Sequence, residues 1–414
     1  MEQNNNIPQG YKDSSLGVIP KEWEVKRLGD LVKITSGESP SLFNLSNTGR
    51  YPYVKVEDMN NCEKIQVYSR EYSNDEKSLI PKWSVIFPKR GAAILNNKVR
   101  IAGADIQMDS NMMAITPFEN SIVGEYLYYQ IICEQLFKIA DTSTIPQINN
   151  KHIIPYKIPL PPLPEQQKIA EILSVWDEAI EKQTQLIAQF ETRKRGLMQQ
   201  LLTGKKRVKG FRGKWEKYHL GSLGDTYIGL TGKNKDDFGK GKPYIPYLNI
   251  FNNSKIDTTF FDYVDVKADE SQNKVQYGDI FFTVSSETPN EVGMASVLLE
   301  NVDELYLNSF CFGFRLYDFN TLLPEFGSYY LRSDVFRSEI YKLSQGATRF
   351  NLSKNSLMKL DILLPSLAEQ TAIANILSAA DTEIAFAKQK LARLKEQKKG
   401  LMQVLLTGKK RVKI

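Results

Sequence analysis

The sequence predicts a duplicated protein in which two mixed α/β (α+β) domains are separated by two long α-helices that form an antiparallel coiled coil. The first observation is a repeat: LLTGKKRVK stands at Leu201–Lys209 and returns at Leu405–Lys413, in a chain of 414 residues. A period near half the chain length indicates two copies of one large unit, because solenoid repeats are roughly 20 to 50 residues long. The second observation is a heptad pattern of apolar residues that precedes each copy.

The repeat extends well beyond these nine residues. Residues 160–209, which we call the first arm, align without a gap on residues 364–413, the second arm, with 28 of 50 positions identical. Upstream of the arms only scattered matches remain, such as Trp23 with Trp215. The sequence therefore predicts two copies of a divergent domain and a near-constant arm, related by a pseudo-twofold axis. The predicted bounds are 1–159 and 210–363 for the domains, and 160–209 and 364–414 for the spacer helices.

Each arm is predicted to be one long helix. Apolar residues recur in steps of three and four, which is the spacing of a coiled-coil seam. Prolines before each predicted helix and the glycines Gly204 and Gly408 after it are typical start and stop signals. Because both arms carry the same stripe, we expect each to pack against the other. The predicted seam residues are Ile169, Leu173, Trp176, Ile180, Ile187, Phe190, Leu197, Leu201, Ile373, Leu377, Ile384, Leu391, Leu394, Leu401 and Leu405.

The divergent domains combine strand and helix signals. β-rich runs such as YPYVKVEDM, WSVIFPK, MMAITPF, PYIPYLNIF, DIFFTVSS and CFGFRLY alternate with Gly, Pro and Asn turn signals. Residues 125–140 and 326–344 are rich in apolar residues at helical spacing, so each predicts one helix. This order predicts a sheet with helices near the end of each domain.

Polar and basic loops occur at matching places in both domains, at 87–103 and 143–152 in the first and at 281–293 and 346–355 in the second. Arg and Lys pair with guanine or phosphate, and Asn and Gln can read adenine, so these residue types suit DNA. For any single residue, plain solvation is the competing interpretation. The candidates in the first domain are Lys89, Arg90, Asn96, Asn97, Lys98, Arg100, Ser143, Thr144, Gln147, Asn149, Asn150 and Lys151. Those in the second are Lys233, Lys235, Lys240, Lys242, Ser285, Ser286, Thr288, Gln345, Thr348, Arg349, Asn351 and Lys354.

Catalytic and cofactor motifs are absent from the sequence. With only two histidines, His152 and His219, histidine-based triads and multi-histidine metal sites are excluded. No GxxxxGK[ST], no GxGxxG and no aminomethyltransferase motif occurs, and the three cysteines lack CxxC spacing. We therefore expect no catalytic residues, no metal and no cofactor on this chain. The one competing pattern is Asp257 with Asp265 and Lys267, a loose nuclease-like spacing whose alternative is solvated surface charge.

Net charge and hydropathy restrict the kinds of partner and the cellular compartment that the sequence leads us to expect. The net charge of +6 permits an acidic partner such as nucleic acid without requiring one. No run of about 18 apolar residues is present to cross a bilayer, and the N-terminal residues lack the apolar core of a signal peptide. We expect a cytoplasmic protein without membrane contact.

The combination of W…LG near each domain start, PLPPLPEQ or LPSLAEQ, I-A-x-I-L-S-x-x-D and GLMQxLLTGKKRVK resembles the specificity subunits of type I restriction-modification systems. The resemblance covers essentially the whole chain. It implies two target recognition domains that each read one half of a split, asymmetric sequence in double-stranded DNA. It also implies an antiparallel helical spacer that fixes half-site spacing and docks two modification methyltransferase subunits.

The same resemblance implies that the chemistry resides in partners. Methyl transfer from S-adenosylmethionine would be carried out by the modification subunits, and ATP- and Mg-dependent translocation and cleavage by restriction subunits. Two other interpretations of the residues stay open at this point. One is a coiled-coil adaptor that joins proteins without touching DNA, and the other is a self-sufficient nuclease or methyltransferase.

Overall fold

The computed structural model describes residues 7–344, 346 and 349–414. Contacts divide the chain into two units. Unit 1 consists of the residues up to Thr184 together with Lys390–Ile414, and unit 2 consists of Gln185–Gln389. Each unit thus contains one divergent domain and a segment of both arms. The four-part division predicted from the sequence stays a prediction.

Unit 1 is built on a five-stranded sheet and smaller ladders. Its strands are β1 (Tyr11–Lys12), β2 (Ile19–Pro20), β3 (Glu24–Arg27), β4 (Val32–Ser36), β5 (Tyr51–Val54), β6 (Ile65–Gln66), β7 (Tyr72–Ser73), β8 (Val85–Pro88), β9 (Arg100–Ala102), β10 (Gln107–Met108), β11 (Met112–Pro117) and β12 (Lys157–Leu160). Its helices are α1 (Gly124–Glu134), α2 (Asn150–Ile153) and the first part of α3 (Leu163–Leu201). The main sheet has the order β4-β11-β8-β9-β6, beside the ladders β10-β5-β7, β12-β3 and β1-β2.

Unit 2 repeats this plan. Its strands are β13 (Glu216–His219), β14 (Gly224–Ile228), β15 (Phe238–Ile245), β16 (Asp262–Val264), β17 (Ile280–Thr283), β18 (Ser285–Ser286), β19 (Ala295–Val297), β20 (Tyr306–Leu307), β21 (Cys311–Leu316), β22 (Phe350–Asn351) and β23 (Asp361–Leu364). Its helices are α4 (Tyr247–Asn252), α5 (Pro324–Tyr330), α6 (Asp334–Leu343), α7 (Lys354–Met358) and the first part of α8 (Leu367–Leu405). The sheet order is β14-β21-β17-β19, with ladders β16-β15-β20, β13-β23 and β18-β22.

The two units share one topology although their sequences have diverged. The order β4-β11-β8-β9 in unit 1 matches β14-β21-β17-β19 in unit 2, and every neighbouring pair in these runs is antiparallel. In each unit a further ladder combines one parallel and one antiparallel pair about a central strand, β5 or β15. The duplication predicted from the arms therefore includes the domains.

Two local predictions were wrong. Residues 326–344 form two helices, α5 and α6, because Ser333 is extended and its side chain accepts from the Phe336 amide, which caps a new helix. In PYIPYLNIF, predicted as strand, only the first residues are strand and Tyr247–Asn252 is helical. The Asn249 side chain donates to the Asp257 and Phe260 carbonyls at 2.9 and 2.7 Å, which anchors this turn of helix in the interior.

The two arms form the long helices that the heptads predict. Helices α3 and α8 have 39 residues each, about 58 Å at 1.5 Å per residue. Within unit 2 the two helices are antiparallel, because Glu191 pairs with Lys388 whereas Lys194 pairs with Asp381. In unit 1, Asp177 of α3 pairs with Lys398 of α8. The predicted fold class, two α/β domains with long helices in antiparallel contact, is confirmed.

Apolar residues from both helices complete each core. In unit 1, Leu173 of α3 and Leu405 of α8 belong to one cluster with the sheet residues and with α1. In unit 2, Leu201 of α3 and Leu377 of α8 have the corresponding places. Each domain is thus held by one segment of each arm.

Candidate nucleic-acid interface

The two candidate loops of unit 2 are hydrogen-bonded to each other. Strand β18 pairs with β22 in antiparallel register, with Ser285 opposite Asn351 and Ser286 opposite Phe350. The Leu352 amide extends this ladder by donating to the Val284 carbonyl at 2.9 Å. Residues 281–293 and 349–355, which belong to loops predicted separately from the sequence, therefore form one surface feature, which we call the unit 2 loop pair.

The equivalent loops of unit 1 are paired in the same way. Arg90 forms an antiparallel bridge with Gln147. On either side, the Gly91 amide donates to the Pro146 carbonyl and the Ile148 amide to the Lys89 carbonyl, both at 2.9 Å. This unit 1 loop pair begins directly after β8, the strand that corresponds to β17 in unit 2. One scaffold thus presents different side chains at equivalent positions.

Most of the candidate side chains are available to a ligand. In unit 2, Arg349 and Asn351 are exposed on the loop pair itself. Further exposed candidates of unit 2 are Lys235, Lys240, Lys242 and Thr288. Exposed candidates of unit 1 are Arg90, Asn96, Ser143, Thr144, Asn149, Asn150 and Lys151. Gln345 and Thr348 lie outside the described residues.

Two lysines of the loop pairs are partly desolvated. Burial lowers the pKa of Lys89, and the neighbouring Arg90 charge adds to this effect. Burial also lowers the pKa of Lys354, whose Nζ lies 5.7 Å from the centroid of the Phe312 ring. An acceptor such as a phosphate would offset the cost of desolvating these ammonium groups.

Three candidates of unit 1 instead hold the domain together. The Arg100 guanidinium donates to the Cys62, Val99 and Met59 carbonyls at 2.7 to 2.9 Å. The Lys98 ammonium donates to the Asn60 side chain at 2.6 Å. Asn97 donates to the Ile132 carbonyl and accepts from the Leu136 amide. Apart from the contact with Val99, these contacts span 35 to 41 residues in sequence, so no local pattern predicts them.

Four candidates of unit 2 also have intramolecular partners. Lys233 is 5% exposed and pairs with Glu270, while Lys242 pairs with Glu304. The hydroxyls of Ser286 and Thr288 donate to the Glu291 carboxylate at 3.3 and 2.8 Å. Ser285, Arg349 and Asn351 are therefore the better placed candidates of the unit 2 loop pair.

Asp257, the first residue of the nuclease-like pattern, takes part in a local turn. The Asp257 carboxylate accepts from the amide and hydroxyl of Thr259 at 2.9 and 2.6 Å, which closes a turn and lowers its pKa. Within the described ranges, no three His, Cys, Asp or Glu side chains are grouped to hold a metal ion. The same part of the chain contains no helix that is both long and apolar enough to span a membrane.

The seam residues of the arms lie on the inner sides of the helices. Ile169, Leu173, Ile187, Leu201, Ile373, Leu377, Ile384 and Leu405 are buried. Trp176, Ile180, Phe190, Leu197, Leu391, Leu394 and Leu401 are half-buried. Sequence reasoning did not identify Lys64 and Lys255, which contact the helices from the two domains. Their local sequences share no spacing signal that would have revealed them.

Two copies of one α/β scaffold, with different side chains on equivalent loop pairs and two shared long helices, define a tandem recognition-domain protein. A profile described as the type I restriction modification DNA specificity domain matches residues 20–192 and 212–396. The chain belongs to this family.

Relatives and solved structures agree with this assignment. The chain is 27% identical, over 98% of both chains, to the type I restriction enzyme MjaVIII specificity subunit of Methanocaldococcus jannaschii. It is similar to the crystal structure of a type I restriction-modification S subunit from M. genitalium, with a TM-score of 0.54, 16% identity and 98% of both chains covered. It is also similar to a chain from a structure of type I R-M complex assembly, with a TM-score of 0.63, 18% identity, and 94% of this chain and 99% of that chain covered. At these identities the two structures show the fold.

Proposed function

We propose that the chain is the DNA specificity subunit of a type I restriction-modification complex. In this proposal each unit reads one half of a bipartite, asymmetric DNA sequence, and the long helices set the distance between the half-sites. The chain contributes recognition and no catalysis. It works in the cytoplasm, where its double-stranded DNA and partner subunits are found.

The observation that carries the proposal is the pair of equivalent loop pairs with unlike side chains. Arg90 and Gln147 in unit 1 stand where Ser285 and Asn351 stand in unit 2. Arg and Gln favour bidentate contacts with guanine and adenine, whereas Ser accepts either role. Unlike side chains on one scaffold support two different half-sites, and hence a site that is not palindromic.

The proposal assigns the chemistry to other chains. Two methyltransferase subunits dock on the helices and use S-adenosylmethionine, and restriction subunits use ATP and Mg. The specificity-subunit relatives that span nearly the whole chain support this division of labour. With a net charge of only +6, we expect weak DNA binding by the isolated chain and tight binding by the assembled complex.

The test is to express the chain with its methyltransferase subunits and sequence the methylated positions of the host DNA. We expect one bipartite asymmetric motif. Binding of the purified complex to that duplex should weaken as salt increases, with a log-log slope of about −0.9 per neutralised phosphate. An adaptor that only joins proteins would leave the duplex unshifted at low salt even with methyltransferase present, and this result would overturn the proposal.

A single variant examines the independence of the two readers. Arg349→Ala should lower discrimination at one half-site by about tenfold, because one good base contact is worth about 1 to 3 kcal/mol. The other half-site should be unaffected. Arg212→Ala, an exposed arginine of unit 2 outside the loop pair, is the matched control. Equal loss at both half-sites in Arg349→Ala would contradict independent reading.

A further inference from the structure

A half-buried polar cluster joins the domain of unit 1 to both long helices. Its members are Lys64, Glu125, Tyr129, Ser174, Asp177 and Lys398. The Lys64 ammonium contacts Glu125 Oε1 and Tyr129 Oη, both at 2.9 Å, and Ser174 Oγ at 2.6 Å. Tyr129 donates to Asp177 of α3 at 2.5 Å, and Lys398 of α8 binds the other oxygen of that carboxylate.

Unit 2 contains a corresponding cluster made from Lys255, Tyr329, Asp381 and Lys194. Tyr329 donates to Asp381 Oδ2 at 2.6 Å, and Lys255 lies 2.7 Å from the Tyr329 hydroxyl. Lys194 binds Asp381 Oδ1 at 2.5 Å. The exposed fractions of Lys194, Lys255 and Asp381 lie between 25% and 34%. Solvent therefore screens their charges only in part.

In both clusters the completing lysine comes from the other arm. Asp177, in the first arm, receives Lys398 from the second arm, and Asp381, in the second arm, receives Lys194 from the first. Since residues 160–209 and 364–413 align without a gap, Asp177 and Asp381 are equivalent, as are Lys194 and Lys398. Each arm therefore contributes a carboxylate to the domain that precedes it and a lysine to the other domain.

The clusters differ in charge. In unit 1 two lysines face two carboxylates, Glu125 and Asp177. In unit 2 two lysines face Asp381, while Glu325, which aligns with Glu125, accepts a hydrogen bond from Tyr277 at 2.5 Å. Burial lowers the pKa of Lys255, and the nearby Lys194 charge acts in the same direction. The Asp381 charge opposes this lowering, and Glu325 does so more weakly, so Asp381 is the principal carboxylate of the unit 2 cluster.

Contacts lead from each cluster to the loop pair of the same unit. Tyr129 lies on α1, which packs against β8 and β9, and the unit 1 loop pair starts where β8 ends. Tyr329 lies on α5, which packs against β19, the neighbour of β17 in the sheet. Because packed interiors transmit small displacements, a cluster that fixes α1 or α5 on the helices also fixes the loop pair.

We propose that Lys398 and Lys194 are positioning residues for base recognition, with Lys398 of the second arm orienting the unit 1 loop pair and Lys194 of the first arm orienting that of unit 2. The inference rests on the proposed function. Recognition by the unit 1 loop pair then depends on a residue of the second arm, and recognition by the unit 2 loop pair on a residue of the first arm.

The experiment uses the complex with methyltransferase subunits and three labelled duplexes: the methylated motif found for the wild type, and the same duplex with one or the other half-site scrambled. Lys398→Met should lower discrimination at one half-site by about tenfold and leave the other within about twofold, as expected for removal of one member of a polar network. Lys194→Met should give the reverse pattern. Tyr129→Phe should affect the same half-site as Lys398→Met, and Tyr329→Phe the same as Lys194→Met.

Controls separate positioning from loss of folding. Lys388→Met and Lys182→Met remove exposed lysines of the second and first helix, and should leave both half-sites unchanged. The tyrosine variants lose only a hydroxyl, so they report on the cluster even if a lysine variant fails to fold. Addition of Asp177→Asn to Lys398→Met should cause little further loss at that half-site, because both changes break one contact.

The outcomes distinguish the two proposals. If the wild-type complex reads both half-sites but the variants lose both equally, or neither, positioning by the arms is wrong and the proposed function stands. Positioning is equally wrong if Tyr129→Phe and Lys398→Met affect different half-sites. If the wild-type complex discriminates no sequence, both proposals fail.

Discussion

Each unit contains an ion pair between a partly exposed arginine and a buried glutamate, and the groups around the pair differ between the units. In unit 1, Nε and one terminal nitrogen of Arg411 contact the Glu165 carboxylate at 2.7 and 2.9 Å. Trp23 donates to the same carboxylate at 2.9 Å, and the other terminal nitrogen of Arg411 reaches Glu22 at 2.7 Å. Glu165 is fully buried, so all its stabilisation comes from these neighbours.

In unit 2, Arg207 makes the corresponding two contacts with Glu369, which is 1% exposed. Its third contact is the Gly213 carbonyl at 2.6 Å, and Lys214 stands where the alignment on tryptophan places Glu22. The Trp215 indole nitrogen is buried and has no hydrogen-bond partner among the described residues. The ion pair is therefore the same in both units, whereas the other groups that contact it differ.

The largest difference is expected from the two tryptophans. Trp23→Ala should destabilise unit 1 by about 4 kcal/mol, because Trp23 is fully buried and a buried carboxylate loses its donor. Trp215→Ala should cost unit 2 about half as much, since Trp215 is only partly buried. Hydrogen exchange of α1 and α5 peptides measures each unit separately. Equal losses of stability in the two variants would contradict a stabilising role for the hydrogen bond from Trp23 to Glu165.

The arginines should give nearly equal effects. Arg411→Ala and Arg207→Ala each leave a buried glutamate without its cation, at a cost of about 3 kcal/mol. This is the low end for buried pairs, because the arginine side chains are 34% and 27% exposed. Urea unfolding monitored by hydrogen exchange gives both values, with Arg212→Ala as a near-neutral control. If one variant loses less than half as much free energy of unfolding as the other, the contacts around the ion pair matter more than the ion pair itself.

Alanine substitutions of the two glycines that follow the helices should differ less in their effect on stability. Gly408 and Gly204 both have positive φ, +71° and +69°, so alanine is strained at each by about 1 kcal/mol. At Gly408 the new Cβ would also lie 2.4 Å from Pro20 Cδ, which raises the expected cost to about 2 kcal/mol. At Gly204 its nearest neighbour would be Trp215 at 3.4 Å.

Substitution of a third glycine serves as a control, because it should stabilise the protein rather than destabilise it. Gly196 lies five residues before the end of α3, and a Cβ built on it would meet no described atom within 4 Å other than its chain neighbours and the adjacent helix backbone. Gly196→Ala should therefore stabilise the helix by about 1 kcal/mol. Thermal unfolding of the three variants checks the order, and a Gly408→Ala cost no larger than that of Gly204→Ala would contradict the proline contact.

The smallest effect is expected from Glu22, which has no counterpart in unit 2. A backbone hydrogen bond, and next the Arg411 side chain, hold the pKa of Glu22 below its ordinary 4.5. A lowered carboxyl pKa stabilises the folded state above the unfolded value, and this contribution is lost as pH falls through the folded value. Glu22→Gln should therefore lower the Tm of unit 1 slightly near about pH 7, and this difference should disappear once the pH is below the lowered pKa of the folded state. A difference that persists at low pH would point to packing instead.

The sequence predicted regular elements well and long-range contacts poorly. Heptad spacing and the glycines that follow identified one long helix in each arm, since period and caps are local signals. Strands such as Tyr51–Val54 and Ile280–Thr283 were found for the same reason. The break at Ser333 was missed because a single capping serine overrides an otherwise continuous apolar pattern.

The DNA contacts of the candidate loops stay a prediction, and the structure shows only where these loops and their side chains lie. The pairing of Ser285 and Ser286 with Asn351 and Phe350 was not predicted, because it depends on how the sheet brings together two segments that are far apart in sequence. Whether a lysine or arginine faces solvent depends on distant partners: Arg100 binds carbonyls about 40 residues away, and Lys233 pairs with Glu270. Composition does not contain that information.

The crossed contributions of the arms have a consequence for how such chains change over generations. Glu165, Asp177, Lys194 and Arg207 recur as Glu369, Asp381, Lys398 and Arg411, so either domain meets the same four side chains. Recombination within the shared arm sequence could therefore replace one domain by another without altering the contacts that receive it. Exchange of whole domains would then change the loop pairs while the two long helices stay constant.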